Sequence, residues 1–209
     1  MEDVLEVYAE PRDPLKPLVC LDEFSKQLIG EARDALPALP GRPARQDYEY
    51  VRFGMCSMFM LYSPLENRRE VRVTGQRTAL DYAETIRWMC DVMYPEAEKI
   101  VLVRDNLNTH GPASLYEAFA PEEALRLKER IEWRFTPKHG SWLNMAEIEI
   151  GVAQRQCLDR RMADQAVMEK ELMRWASDRN IAKATTNWQF TTADARTKLK
   201  RLYPSTFQE

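Results

Sequence analysis

Runs of apolar residues ending abruptly in acids or turn residues divide this chain into recognisable elements. LVCLDEFS (18–25) is a short apolar run that reaches an acidic pair, which predicts a central strand with Asp22 at its C-terminal end. EARDALPALPGRPARQD (31–47) has no clear period and is rich in Pro, Ala and Arg, as expected of an extended surface loop. YEYVRFGMCSMFMLYSP (48–64) is aromatic, β-branched and Met-rich; it turns through LENRR into EVRVTG (70–75), and the two predict an antiparallel hairpin. TALDYAETIRWMCDVMYP (78–95) carries Ile86, Met89, Cys90 and Met93 at helical spacing, with Thr78 or Asp81 to start the helix and Pro95 to stop it.

KIVLVRDN (99–106) is the clearest signal: an apolar run closing on Asp105, expected as a buried strand parallel to the first. Two short helices follow, PASLYEAF and PEEALRLKERI, the second opening with proline and acids. IEWRFTP predicts a further strand, and KHGSW a loop into the helix LNMAEIEIGVAQRQCL, with Asn144 near its start. A polar helix, ADQAVMEKELMRWASDRN, comes next. The tail NWQFTTADARTKLKRLYP reads as one strand-like piece and one short basic helix. Strands interleaved with helices predict a single α/β domain with a mixed sheet, residues 1–209, in which 170–209 form a helical basic extension.

Composition narrows the function classes. No run approaches the 18 apolar residues of a membrane span, and the acidic N-terminus does not resemble a secretory leader, so a cytoplasmic protein is expected. The four cysteines, at 20, 56, 90 and 157, form no CxxC pair, and three of them lie in hydrophobic surroundings, which reads as reduced core thiols. Neither a glycine-rich nucleotide loop nor a GxSxG elbow occurs. A net charge of −3 argues against tight unaided binding to nucleic acid. The charge is uneven, however: residues 1–30 hold seven acids against three bases, and residues 170–209 eight bases against four acids. Arg196, Lys198, Lys200 and Arg201 crowd the basic end, where a phosphate-bearing partner would meet the protein.

Two aspartates at the ends of apolar strands stand where open α/β sheets place their ligand sites. Neighbouring carboxylates repel unless a cation intervenes. Magnesium accepts oxygen ligands and a site completed by water and phosphate, and a third carboxylate from a helix would allow a two-ion arrangement, with ions roughly 3.5–4 Å apart. Asp at a strand end also serves as a turn former or cap, and from the residues alone both readings stand. Glu23 alternates to the opposite face from Asp22. His110 and His139, the only histidines, fall in polar segments beside the proposed site and are candidate substrate contacts, as are the four C-terminal cations.

DNLNTH (105–110) and TPKHGSWLNMAE (136–147) are more specific. With CLDE (20–23) they resemble the three acidic motifs of bacterial transposases of the insertion-sequence family numbered 630, relatives of the mariner elements within the DDE endonuclease superfamily. LPGRPARQDYEY, TALDYAE, PASLYEAF, RQCLDRR and FTTADARTKLKRLYP extend the likeness over nearly all of residues 15–205. It implies an RNase H-like fold, a mixed five-stranded sheet with helices on both faces. It implies catalytic, metal-ligating roles for Asp22, Asp105 and Glu147, with two Mg2+ ions, or Mn2+ in their place. The implied reaction is hydrolysis at transposon ends followed by transfer of the freed 3′-hydroxyl into target DNA, performed by a homo-oligomer. Full-length relatives carry helix-turn-helix modules ahead of this domain. The chain begins only about twenty residues before Asp22, so a separately encoded end-recognition module is a further expected partner. The 42 positions from Asp105 to Glu147 exceed the family's commonest interval, which the helical PEEALRLKERI can absorb.

A nuclease that does not join strands and a domesticated, inactive DNA-associated protein are the competing readings. Geometry also leaves two glutamates open. A helical wheel begun at Leu143 places Glu147 within the arc of Leu143, Ala146, Ile150, Ala153, Cys157 and Leu158, and Glu149 outside it near Met145, Ile148 and Val152. On that wheel Glu149 is dispensable.

Overall fold

The computed structural model describes residues 1–203 except 35, 46 and 106–109. Its strands are β1 (Leu18–Glu31), β2 (Tyr50–Ser63), β3 (Arg68–Thr74), β4 (Ile100–Arg104) and β5 (Ile131–Phe135). They form one five-stranded sheet in the order β3-β2-β1-β4-β5. The β3-β2-β1 half is antiparallel and the β1-β4-β5 half parallel, so the sheet is mixed as expected. The helices are α1 (Glu2–Ala9), α2 (Ala79–Trp88), α3 (Pro112–Ala118), α4 (Pro121–Glu129), α5 (Met145–Ala153), α6 (Gln165–Ile181) and α7 (Thr192–Lys198). Wider π turns continue α2 through Met93 and α5 through Leu158.

Alternation along the strands builds two cores. Cys20, Met58, Met60, Tyr62, Val101 and Val103 face one way, where they meet α1, α5 and α6. Val19, Leu21, Phe59, Leu61, Ile100 and Leu102 face the other, against α2, α3 and α4. At about 25 cal/mol per Å2 of apolar surface removed from water, these two layers are the main stabilisation of the fold. All four cysteines are buried and free, consistent with core thiols. No helix among the described residues is long and apolar enough to cross a membrane.

Several element boundaries follow from local chemistry. Thr78 and Asp81 form a reciprocal capping box at the start of α2, so both expected starters act together. β1 runs to Glu31, six residues past the expected end, because the long β2 pairs with it throughout. That pairing slips between Gln27 and Ile29, opposite Gly54, whose φ of +97° suits glycine. Two differences from expectation stand out. EDVLEVYA forms α1, burying Val4, Leu5 and Val7, a helix that is not among the predicted elements. Conversely, NWQF is not a strand: Trp188 and Phe190 instead pack around Trp142 as an aromatic cluster.

Candidate active site at the strand ends

The parallel register of β1 and β4 aligns Leu18 with Val101, Val19 with Leu102 and Cys20 with Val103. Continued two residues further, the same offset sets Asp22 level with Asp105, on strands about 4.8 Å apart. Period-two alternation sends both aspartates toward the α5 face, in step with Cys20 and Val103. α5 is fastened there by Asn144. This fully buried N-cap accepts from the Ala146 N–H at 3.1 Å and donates through Nδ2 to the Leu21 carbonyl at 2.9 Å. One side chain thus ties the helix start to the residue before Asp22. Tyr8 of α1 adds a hydroxyl bond to the Leu143 carbonyl at 2.7 Å. Glu147, in the first turn of α5, is partly exposed.

The three acids feel one another. Burial pushes the Asp22 carboxyl from its ordinary 3.8 up to about 7. The Glu23 N–H, donating to Asp22 Oδ1 at 2.8 Å, pulls it down, while Asp105 and Glu147 push it further up. Asp105 lies 3.7 Å from the buried Arg104 guanidinium. Among the described residues no three His, Cys, Asp or Glu side chains are gathered tightly enough to enclose an ion as they stand. The remainder of DNLNTH, residues 106–109, lies outside the described residues.

Glu149 is placed very differently. It is fully buried, and its Oε1 and Oε2 accept from Arg179 Nη2 and Nε at 3.0 and 3.2 Å. Arg69 Nε, also buried, stands 3.0 Å from Oε2 in ion-pair contact without the alignment of a hydrogen bond. Thr186 Oγ1 donates to Oε1 at 3.3 Å. The wheel reading therefore needs correcting. Leu143 belongs to a 3-10 turn ahead of the N-cap and Leu158 to the π turn beyond α5, so the two residues that bracket Glu147 on the wheel do not keep the α-helical 100° step. The buried stripe is Met145, Ala146, Glu149, Ile150 and Ala153, with Glu149 inside it.

The candidate substrate contacts also divide. His110 is buried rather than set in an open loop, its Nδ1 2.7 Å from Glu23 Oε2 and its ring stacked on Tyr82. His139 is exposed, at a φ of +62°. Arg196 is held by Glu2 of α1 and Lys198 by Asp194, which leaves Lys200 and Arg201 as the exposed cations of that stretch without an ion pair among the described residues. The sequence reading did not find the Arg69–Glu149–Arg179 cluster. Its one local signal is a charged residue inside the apolar run AEIEIGVA.

Residues 17–169 match the family model of the DDE superfamily endonuclease. The chain belongs to that family. The DDE match takes in β1, β4 and the start of α5, and so Asp22, Asp105 and Glu147. Among solved structures, the Mos1 mariner paired-end complex with manganese resembles this DDE endonuclease at a TM-score of 0.51 and 16% identity, covering 86% of this chain and 54% of that one. The fold is accordingly RNase H-like. The Mos1 strand transfer complex matches at 0.39 and 14% identity, over 89% and 60% of the two chains. The Mos1 paired-end complex with the left transposon end matches at 0.38 and 14%, over 81% and 56%. The chain thus spans little more than half the length of these transposases. No curated protein sequence matches it.

Proposed function

We propose that this DDE endonuclease is the catalytic domain of an insertion-sequence transposase, cutting DNA strands and joining the freed 3′-hydroxyl to target DNA. The observation that supports it most is the convergence of Asp22 and Asp105 at matched strand ends with Glu147 near enough to raise the Asp22 carboxyl. An all-oxygen donor set suits Mg2+ or Mn2+ better than zinc, and mutual repulsion among the acids is what a divalent cation would relieve. Asp22, Asp105 and Glu147 would hold it, drawing together to do so. Two such ions, when bound, would activate an attacking oxygen and stabilise the leaving one at phosphorus. The protein's own part is positioning: Asn144 fixes α5 against β1, and the sheet fixes the two aspartates. Water and then a DNA hydroxyl serve as nucleophiles, so no side chain need bond covalently to DNA.

The partners in this reading are transposon-end and target DNA, further copies of the chain, and a separately encoded end-recognition module, in the cytoplasm and at the nucleoid. With half of the C-terminal cation cluster already paired to acids, DNA affinity of the chain alone should be weak and salt-sensitive. The test is incubation of labelled terminal-repeat duplex with Mg2+ or Mn2+ and the product of the neighbouring reading frame. Cleaved strands together with joined products are expected. Cleavage without joining would reduce the protein to a nuclease, and the absence of metal-dependent turnover would remove the catalytic reading.

A further inference from the structure

Beneath the strand ends, on the sheet face opposite α5, a set of polar side chains is enclosed next to the apolar residues Val19, Leu21, Phe59 and Leu102. Tyr82, Arg104 and His110 are 1%, 3% and 5% exposed. Burying such groups costs free energy unless each finds a partner, and these find one another. Glu23, the residue after Asp22, reaches through the sheet's alternation to His110 Nδ1 at 2.7 Å. Its other oxygen lies 3.5 Å from Arg77. The His110 Nε2 is 3.3 Å from the Arg77 carbonyl, so each ring nitrogen faces an acceptor. The imidazole stacks on Tyr82 at 4.9 Å and 6°, and meets the Phe59 ring edge-on at 6.1 Å. Arg104, the residue before Asp105, donates through Nη1 to the Tyr82 hydroxyl at 3.0 Å and through Nε to the Asp105 carbonyl at 2.9 Å.

We infer that Glu23 and His110 are positioning residues: with Tyr82 as common platform, they and Arg104 hold the β1 and β4 ends in register from beneath, and so set where Asp22 and Asp105 stand. Adjacent residues on a strand face opposite ways, which lets one neighbour of each aspartate be anchored below while the aspartate itself stays on the α5 face. Ordinary packing would account for an apolar plug under the strand ends. It does not account for a carboxylate, an imidazole and a guanidinium that are each bonded to another element. The inference takes its purpose from the metal reading above, and its contacts stand independently of that reading.

Two measurements test it on the full chain: amide hydrogen exchange of the metal-free protein read by peptide mass, and calorimetric titration with Mn2+. In His110→Ala and Glu23→Ala, exchange should rise about tenfold in the segments 20–24 and 102–105 together. Mn2+ affinity should fall by about 10–100-fold, the size typical when a partner behind a metal ligand is lost. Glu23→Gln keeps a hydrogen bond to His110 and should stay near wild type. The double alanine variant should be no worse than either single one, because both break the same link. Should His110→Ala fail to fold, Glu23→Ala, which leaves the stacked rings in place, carries the test. Faster exchange confined to the neighbourhood of 110, with wild-type Mn2+ affinity, would overturn the inference, as would additive losses. Should the wild-type chain bind no Mn2+, the metal reading falls, and exchange alone decides: joint acceleration of both segments upholds the clamp, local acceleration refutes it.

Discussion

Glu149→Gln is expected to lower stability by about 3–5 kcal/mol, the usual cost of removing one partner from a buried ion pair. Arg69 and Arg179 converge on this one carboxylate, and Arg69 is itself fully buried, so the substitution strands positive charge away from water. Arg69 would keep its bonds to Asn180 and the Ala184 carbonyl, which hold the guanidinium in place but do not balance it. For a domain of this size, each kcal/mol is worth about 2–4 °C in melting temperature, so a fall of roughly 10 °C should appear in a calorimetric scan. Glu147→Gln should behave in the opposite manner. Its carboxylate is partly exposed at the start of α5, so the melting temperature should barely move. Metal-dependent DNA cleavage should fall at least about a hundredfold, since a cation ligand supplies several kcal/mol at the transition state. A stable, cleavage-deficient Glu149→Gln beside an active Glu147→Gln would exchange the two roles.

The second large effect is a gain. Asp22→Asn is expected to make the metal-free protein more stable at pH 8. The Asp22 carboxyl is pushed up to about 7, first by burial and then by Asp105 and Glu147. Between about pH 4 and pH 7 the native state therefore keeps a proton that the unfolded chain has released. The stabilisation from Asp22 is complete below pH 4 and is lost as pH rises through 7. By pH 8 the ionised carboxylate costs on the order of a few kcal/mol, which a neutral asparagine avoids. The advantage of the variant should shrink steadily as pH falls from 7 and vanish only below about pH 4, where the side chain is protonated in the folded and unfolded wild type alike. Adding Mn2+ at pH 8 should reverse the order, because a cation that binds only the native wild type raises its melting temperature alone. A variant less stable than wild type at pH 8 without metal would mean that Asp22 is not held against its neighbours' charge.

The strand-end aspartates were legible because everything that places them is local and periodic. LVCLD and KIVLVRD each show an uninterrupted apolar run stopping at an acid, and period two decides the face. The hairpin, the Asn144 cap and the order of the helices were legible for the same reason. What escaped depends on partners distant in sequence. His110 looks like a loop histidine until Glu23 and Tyr82, 87 and 28 positions away, are folded onto it. Arg196 looks like a free phosphate contact until Glu2, at the other end of the chain, claims it, whereas the Lys198–Asp194 pair is local, at i,i+4 spacing on α7. Glu149 was misplaced by a wheel that took a 3-10 turn and a π turn for parts of one α-helix, a slip that periodicity cannot reveal. α1 is only eight residues long, and its apolar stripe of Val4, Leu5 and Val7 acquires meaning only against the sheet.

Calorimetric titration with Mn2+ on the wild-type chain and on Asp105→Asn at pH 8 tests the central claim, that these acids form one divalent-cation site, without requiring the right DNA end. Asp105 is the informative choice because it directly follows the short, fully buried β4, yet its own side chain is 28% exposed. The account predicts saturable Mn2+ binding by the wild type, released by chelator, and loss of that binding in Asp105→Asn with the fold intact. Unchanged Mn2+ affinity in a folded Asp105→Asn would contradict it.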